Sequence, residues 1–145
     1  MIQLDTHVVV WLYDGRTDRL PGTVKRLIEE NDLLISPMVA LELQYLHEIG
    51  RLRATSGLIL DDLNGRIGLR TSSAPFARVV DVARDLSWTR DPFDRIIVAT
   101  AIVDDVALLT RDGTLLSHCS LARWDAVPTS PKASSRRKPA KRARR

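Results

Sequence analysis

Four carboxylates in this sequence lie next to apolar segments, where a charge is costly unless it is paired or binds a cation. Asp5 comes directly after a short apolar run, and Asp112 follows another by two residues. Glu42 and Asp94 have apolar residues three and four positions away, so each shares a predicted apolar helix face. Two local alternatives remain open: Asp94 could complete a capping box with Asp91, and Glu42 could lie at the stripe's edge and reach water.

Carboxylates that meet in one cleft repel one another and raise each other's pKa values, and a hard divalent cation removes that penalty. Mg²⁺ and Mn²⁺ bind through one or two carboxylates plus water, which leaves positions open for a phosphate. Such an ion polarises a phosphodiester, activates a bound water and orients the in-line attack. The pattern therefore favours metal-dependent phosphodiester hydrolysis, with Glu42 or Asp112 positioning the attacking water.

Polar residues beside these acids have predicted supporting roles. Thr6 and Thr110 adjoin the acids expected at strand ends, and their hydroxyls can donate hydrogen bonds that hold the carboxylates in place. Arg95 and Arg111 could contact a substrate phosphate, although either is more often a surface residue. We interpret the isolated histidines as surface or packing residues, since no H-E-x-x-H pattern surrounds them: His7, His47 and His118.

Short apolar segments alternate with helical patterns, which indicates parallel β–α units and a sheet covered on both faces. The predicted strands are 1–4, 33–35, 67–69, 106–110 and 121–127. The predicted helices are 6–13, 21–30, 37–49, 51–64, 74–86 and 91–103, with a short piece from 115. Residues 8–10 are all valine and could instead prolong the first strand. In open sheets of this class ligands bind outside the carboxyl ends of the strands, so four distant acids can converge there.

Length and composition predict a soluble protein of one domain plus at most a tail. The chain has 145 residues and is large enough to bury a core. One cysteine, Cys119, excludes an internal disulfide and a Cys-rich zinc site, and favours a reducing cytoplasm. The N-terminus lacks a basic signal-peptide region, and no apolar run approaches the roughly 20 residues of a membrane span.

Positive charge is concentrated at the C-terminus. Eight of the 22 basic residues lie in 132–145, so the 131 residues before them hold 14 basic and 18 acidic side chains, a net charge of −4. Segment 128–145 mixes Pro, Ser, Ala, Lys and Arg, a composition that predicts disorder. It could be an electrostatic arm that raises nucleic-acid affinity, or a solvated extension with no defined role.

Four segments resemble, in order and in β or α context, the acidic motifs of PIN-domain ribonucleases, and most of all the VapC toxins of type II toxin–antitoxin pairs. The segments are 4–7, 40–43, 90–95 with 97–101, and 109–112. The resemblance covers roughly 1–127, which we take as the nuclease domain, and the tail 128–145 has no counterpart in the shared pattern.

The resemblance implies a three-layer α/β/α fold whose parallel sheet has strand order 3-2-1-4-5. It implies cleavage of single-stranded RNA with Mg²⁺, for which Mn²⁺ can substitute, a tendency to dimerise, and inhibition by a small antitoxin. On the matching positions Asp5 and Asp94 would be the metal ligands, with Glu42 and Asp112 completing the acidic set.

Other functional classes find less support. No G-x-S-x-G, Walker A or G-x-G-x-x-G pattern occurs. A receiver-like domain would need a lysine at its last strand, and no lysine lies between Lys25 and Lys132. The remaining alternative is a non-catalytic PIN-like module that binds a protein partner or nucleic acid.

Overall fold

The computed structural model describes residues 1–124, which form an α/β fold around one five-stranded sheet. The strands are β1 Ile2–Leu4, β2 Leu33–Ile35, β3 Arg70–Thr71, β4 Ala107–Leu109 and β5 Ala122–Arg123. The helices are α1 Thr6–Tyr13, α2 Gly22–Glu30, α3 Pro37–Glu48, α4 Ser56–Ile67, α5 Phe76–Ala83, α6 Pro92–Asp104 and α7 Gly113–His118, with a 3₁₀ turn at Thr17–Arg19. All strand pairings are parallel and the order is β3-β2-β1-β4-β5. The predicted fold class and strand order are confirmed.

The centre of the sheet is buried on both faces, which is why its strands are uninterrupted apolar runs. Every residue of β1 and β2 is buried, including the polar Gln3. The core continues into α1 through Val8 and Val9, into α3 through Val39, and into α6 through Ile97. The three valines at 8–10 are helical, so the first strand ends at Leu4.

A pair of hydroxyls joins the start of α3 to the middle of α6. Ser36 caps α3 by accepting a hydrogen bond from the Met38 N–H, and its Oγ lies 2.9 Å from Thr100 Oγ1. Thr100 donates its own proton to the Ile96 carbonyl, so Ser36 is the donor between the two hydroxyls. Both side chains are buried. This contact fixes the helix that carries Glu42 against the helix that carries Asp94.

The prediction for 51–69 is displaced by several residues. Arg51 and Leu52 donate their N–H groups to the Leu46 carbonyl and close the end of α3, so they are not helical. Helix α4 begins only after Thr55, whose hydroxyl accepts from the Leu58 N–H. It ends at Gly68, whose φ of +69° is a left-handed conformation that favours glycine. The predicted strand at 67–69 was therefore wrong, and β3 follows it at Arg70–Thr71.

Two further boundaries differ from the sequence-based prediction. Helix α5 spans Phe76–Ala83 and not 74–86, because 84–86 form a turn whose N–H groups bond to carbonyls near the end of the helix. The last strand is Ala122–Arg123, and the rest of its predicted range, 125–127, lies outside the described residues, as does the tail 128–145. Among residues 1–124 no helix has the length and apolar character needed to span a membrane.

Candidate active site

Asp5 directly follows β1 and caps α1 at the carboxyl edge of the sheet. Its backbone N–H bonds to the Leu109 carbonyl of β4, and its Oδ1 accepts from the Thr6 N–H at 2.8 Å. Its Oδ2 accepts from Thr110 Oγ1 at 2.6 Å. Only 5% of Asp5 is exposed. A buried carboxylate with two donors at fixed positions is held in one orientation, so the predicted supporting role of the Thr110 hydroxyl agrees with this geometry.

Thr110 also links Asp5 to the loop that carries Asp112. Its hydroxyl oxygen accepts from the Asp112 N–H at 3.0 Å while its proton is given to Asp5. Asp112 is exposed and caps α7, since its Oδ1 accepts from the N–H groups of Thr114 and Leu115. The two strand-end acids are thus joined by one threonine side chain.

Glu42 faces the same edge from α3. Burial is the main cause that raises its pKa to about 7, and the charges of Asp5 and Asp94 raise it further. The neighbouring Thr6 hydroxyl acts in the opposite direction. Because charges act on each other only over short distances in water, Glu42 lies within electrostatic reach of both acids. Glu42 is only partly buried, so it reaches water as well as lying near the two acids.

Asp94 lies in the first turn of α6 and is half-buried. Burial raises its pKa to about 7, with further contributions from the charges of Asp91, Asp5 and Asp112. The capping box proposed for Asp91 and Asp94 is only half formed. Asp91 Oδ1 accepts from the Phe93 and Asp94 N–H groups, but the Asp91 N–H is donated to Thr89 Oγ1. The Asp94 carboxylate is therefore not used as a reciprocal cap.

The donor set fits a hard divalent cation bound through few protein ligands. Within the described residues no three histidine, cysteine, aspartate or glutamate side chains are placed to hold one ion together. Mg²⁺ commonly takes only one or two carboxylates and keeps several waters. The Thr6 Oγ1 is buried next to Glu42, where it lowers the pKa of that carboxyl, and within 1–124 it meets the full distance and angle limits of a hydrogen bond with no partner. The water ligands of a bound cation would give this buried hydroxyl a hydrogen-bond partner, and the cation would favour the ionised form of the neighbouring carboxyls.

The two predicted phosphate contacts lie in different places. Arg111 is exposed and lines an open cavity of about 300 Å³ together with His7, Trp11 and Asp112. Arg95 donates its Nε–H to the Thr89 carbonyl at 2.7 Å and lines another cavity on the α5 side of α6. We therefore interpret Arg95 as an anchor for the loop before α6, and its contact with phosphate stays a prediction.

His7 belongs to the site, although the sequence predicted a surface or packing role. Its Nε2 accepts from the Arg111 N–H at 2.9 Å, and its Nδ1 lies 3.5 Å from Asp5 Oδ2. Burial lowers its pKa, against the opposing effect of the nearby acids Asp5 and Asp112. Because Nε2 accepts a hydrogen bond, the imidazole carries its proton on Nδ1, which faces Asp5. Its position two residues after Asp5 was the one sequence signal that could have indicated this.

Comparisons with known proteins agree with this fold. The family described as PIN domain matches residues 2–119. Ribonuclease VapC22 of Mycobacterium tuberculosis is 32% identical over 123 residues, which cover 81% of this chain and 91% of that protein. The crystal structure of VapBC2 from Rickettsia felis bound to a DNA fragment from their promoter has a similar fold, with a TM-score of 0.62 and 21% identity over 86% of this chain and 100% of the compared chain. The resemblance noted in the sequence is thereby confirmed: the chain belongs to the PIN-domain family and is of the VapC type.

Proposed function

We propose that this protein is a divalent-metal-dependent endoribonuclease that cleaves single-stranded RNA. The observation that carries the proposal is the convergence of Asp5, Glu42, Asp94 and Asp112 at one sheet edge, where the pKa values of two of them are raised to about 7. Such a cluster is unfavourable by itself and becomes favourable with a cation. The similarity to a ribonuclease supports RNA as the substrate.

The residues of the site have distinct proposed roles. Asp5 and Asp94 would hold Mg²⁺ or Mn²⁺, which would supply Lewis acidity toward a phosphodiester and lower the pKa of bound water. Glu42 and the exposed Asp112 would complete the acidic set and orient an attacking water or accept its proton. Thr110 fixes the orientation of the Asp5 carboxylate.

An RNA cleavage assay with the full chain tests this proposal. Asp5→Asn and Asp94→Asn should each remove cleavage in Mg²⁺ while leaving the circular dichroism spectrum unchanged, and EDTA should abolish cleavage by the parent. Asp85→Asn, at an exposed position in the turn after α5, is the matched control and should cleave like the parent. Cleavage by either site variant at the parental rate, or cleavage in EDTA, would refute the proposal.

We further propose that the protein acts in the cytoplasm as the toxin of a type II toxin–antitoxin pair, restrained by a small antitoxin protein. The similarity to a VapC ribonuclease and to a VapBC complex supports this role. Expression of the chain alone should arrest growth, and co-expression of the neighbouring small open reading frame should restore it. Growth unaffected by the active chain would contradict the toxin role. The other partner that we propose is a second copy of this chain. Light scattering of the eluted protein should then give twice the chain mass.

A further inference from the structure

We propose that Trp11 and Arg111 form a binding site for one unpaired nucleobase beside the carboxylates, and that this site holds the nucleotide next to the scissile phosphate. The inference rests on the proposed function for its choice of RNA as the ligand. Its physical basis is an aromatic and cationic cluster that adjoins the acidic site and that the proposed cleavage chemistry does not use.

The cluster is built from distant parts of the chain. The Trp11 ring centroid lies 5.0 Å from that of His7, one turn earlier on α1, and 5.8 Å from that of Trp124, just after β5. The rings are inclined to one another by about 60°. Trp11 is only partly buried, so it contributes to the core and also presents indole surface to solvent.

Two guanidinium groups accompany the indole. The Cζ atoms of Arg19 and Arg111 lie 5.7 Å and 6.0 Å from the Trp11 ring centroid, within the range of cation–π contacts. Both arginines are exposed, and no carboxylate in the described part of the chain is within ion-pair distance of either. Within residues 1–124 their charge is therefore not neutralised by an ion pair.

The shape of this region suits a base bound at the edge of the acidic site. Trp11, Arg111, His7 and Asp112 line a cavity of about 300 Å³ that opens to solvent, a volume near the lower limit of small-ligand sites, roughly 300–1,000 Å³. Proteins read single-stranded RNA by stacking splayed bases on aromatic rings and on arginine planes. Because a base stacks on an aromatic ring more strongly than an exposed cation does, a base can displace a guanidinium and leave it free to contact a phosphate.

His7 fixes the distance between the base site and the acids. It accepts a hydrogen bond from the Arg111 N–H, packs edge-on against Trp11, and lies next to Asp5. It does not need to touch the base to act, so we regard it as a positioning residue. A base held on Trp11 would therefore place its own phosphate, or the adjacent one, near Asp112 and Asp5.

The test measures how much of the binding free energy depends on bases. In the Asp94→Asn background with Mg²⁺, where cleavage should not occur, binding of short fluorescent oligouridylate is compared with that of an abasic ribose-phosphate oligomer of equal length. We expect the base-containing oligomer to bind about 10-fold or more tightly. Trp11→Leu should bring this ratio close to one, and Trp11→Phe should retain most of it. Trp88→Leu, which changes a tryptophan stacked on His118, is the control and should leave the ratio unchanged.

Each outcome decides the inference. The inference is overturned if the affinity ratio of the two oligomers is unchanged in Trp11→Leu, or if Trp88→Leu lowers it equally. It is also overturned if the Asp94→Asn protein binds the two oligomers equally well. A merely structural role for Trp11 would weaken both oligomers alike and leave the ratio intact. If the parent fails to cleave RNA but the Trp11-dependent ratio remains, the nuclease proposal fails and the base site stands.

Discussion

Replacing Asp94 with asparagine should stabilise the metal-free protein above pH 7, even though the substitution removes a proposed metal ligand. In the folded protein burial and neighbouring acids raise the pKa of Asp94 to about 7, from the ordinary value of 3.8. Between these two values the folded state retains a proton that the unfolded chain has lost. The free energy of unfolding therefore falls as the pH rises from about 4 to 7 and stays at its lower value above that range.

The size of this effect follows from the same comparison. If the whole difference between the folded and ordinary pKa values of Asp94 became free energy of unfolding, it would amount to about 4 kcal/mol, since one pKa unit corresponds to about 1.4 kcal/mol. The side chain is only half-buried and titrates together with its neighbours, so solvent screening reduces the figure. We expect Asp94→Asn to raise the free energy of unfolding by about 1–2 kcal/mol at pH 8 in EDTA, with little change near pH 4.

Urea denaturation of parent and variant at several pH values in EDTA measures the difference directly. Asp85→Asn is again the control, because this exposed acid should change neither curve. Excess Mg²⁺ should then make the parent more stable than the Asp94→Asn variant at pH 8. An ion at 100 times its dissociation constant stabilises the parent by about 2.7 kcal/mol and the variant much less. A variant that is less stable than the parent at pH 8 in EDTA would refute the electrostatic reasoning.

Three further predictions concern neighbouring parts of the molecule. Glu42→Gln should lower the cleavage rate by about 10²–10⁴-fold while changing Mg²⁺ affinity little. If calorimetry shows that the variant has lost Mg²⁺ affinity, Glu42 is a metal ligand and this role is wrong. Thr110→Val should weaken Mg²⁺ binding by about 10–100-fold, because the Asp5 carboxylate loses its 2.6 Å donor. Thr110→Ser should restore that binding, and equal affinities for the two variants would contradict the role. A chain that ends at Val127 should bind RNA with a shallower dependence on salt, since up to eight basic residues are removed; an unchanged slope in filter binding would exclude an electrostatic role for 128–145.

The fold and the acidic cluster follow from local features of the sequence. Short apolar runs that end in an acid, and a proline one residue after Ser36 or Asp91, mark where strands end and helices begin. Alternation of the two elements then implies a parallel sheet, and its carboxyl edge brings Asp5 and Asp94 together. None of these steps needs knowledge of side-chain packing, which explains why the fold could be predicted, while the roles of the acids stay predictions.

The features that the sequence does not reveal depend on contacts between distant segments. Whether Arg95 faces the acids or α5 is decided by the rotation of α6 on the sheet, which an apolar stripe constrains only loosely. The Trp11 cluster depends on the packing of α1 against Trp124, more than a hundred residues away. The position of β3 was missed because α4 continues to Ile67, so that 67–69 is the end of a helix and not a strand. The positive φ of Gly68 marks this helix end, and a φ angle cannot be read from a sequence.

Anomalous diffraction from crystals soaked in manganese is the most direct test of the central claim, that separate acids share a divalent ion. We predict one strong anomalous peak at the carboxyl edge of the sheet, bound by the carboxylates of Asp5 and Asp94, with Glu42 and Asp112 close to its water ligands. A structure in which Asp5 and Asp94 point apart with no ion between them, at saturating manganese, would contradict the account.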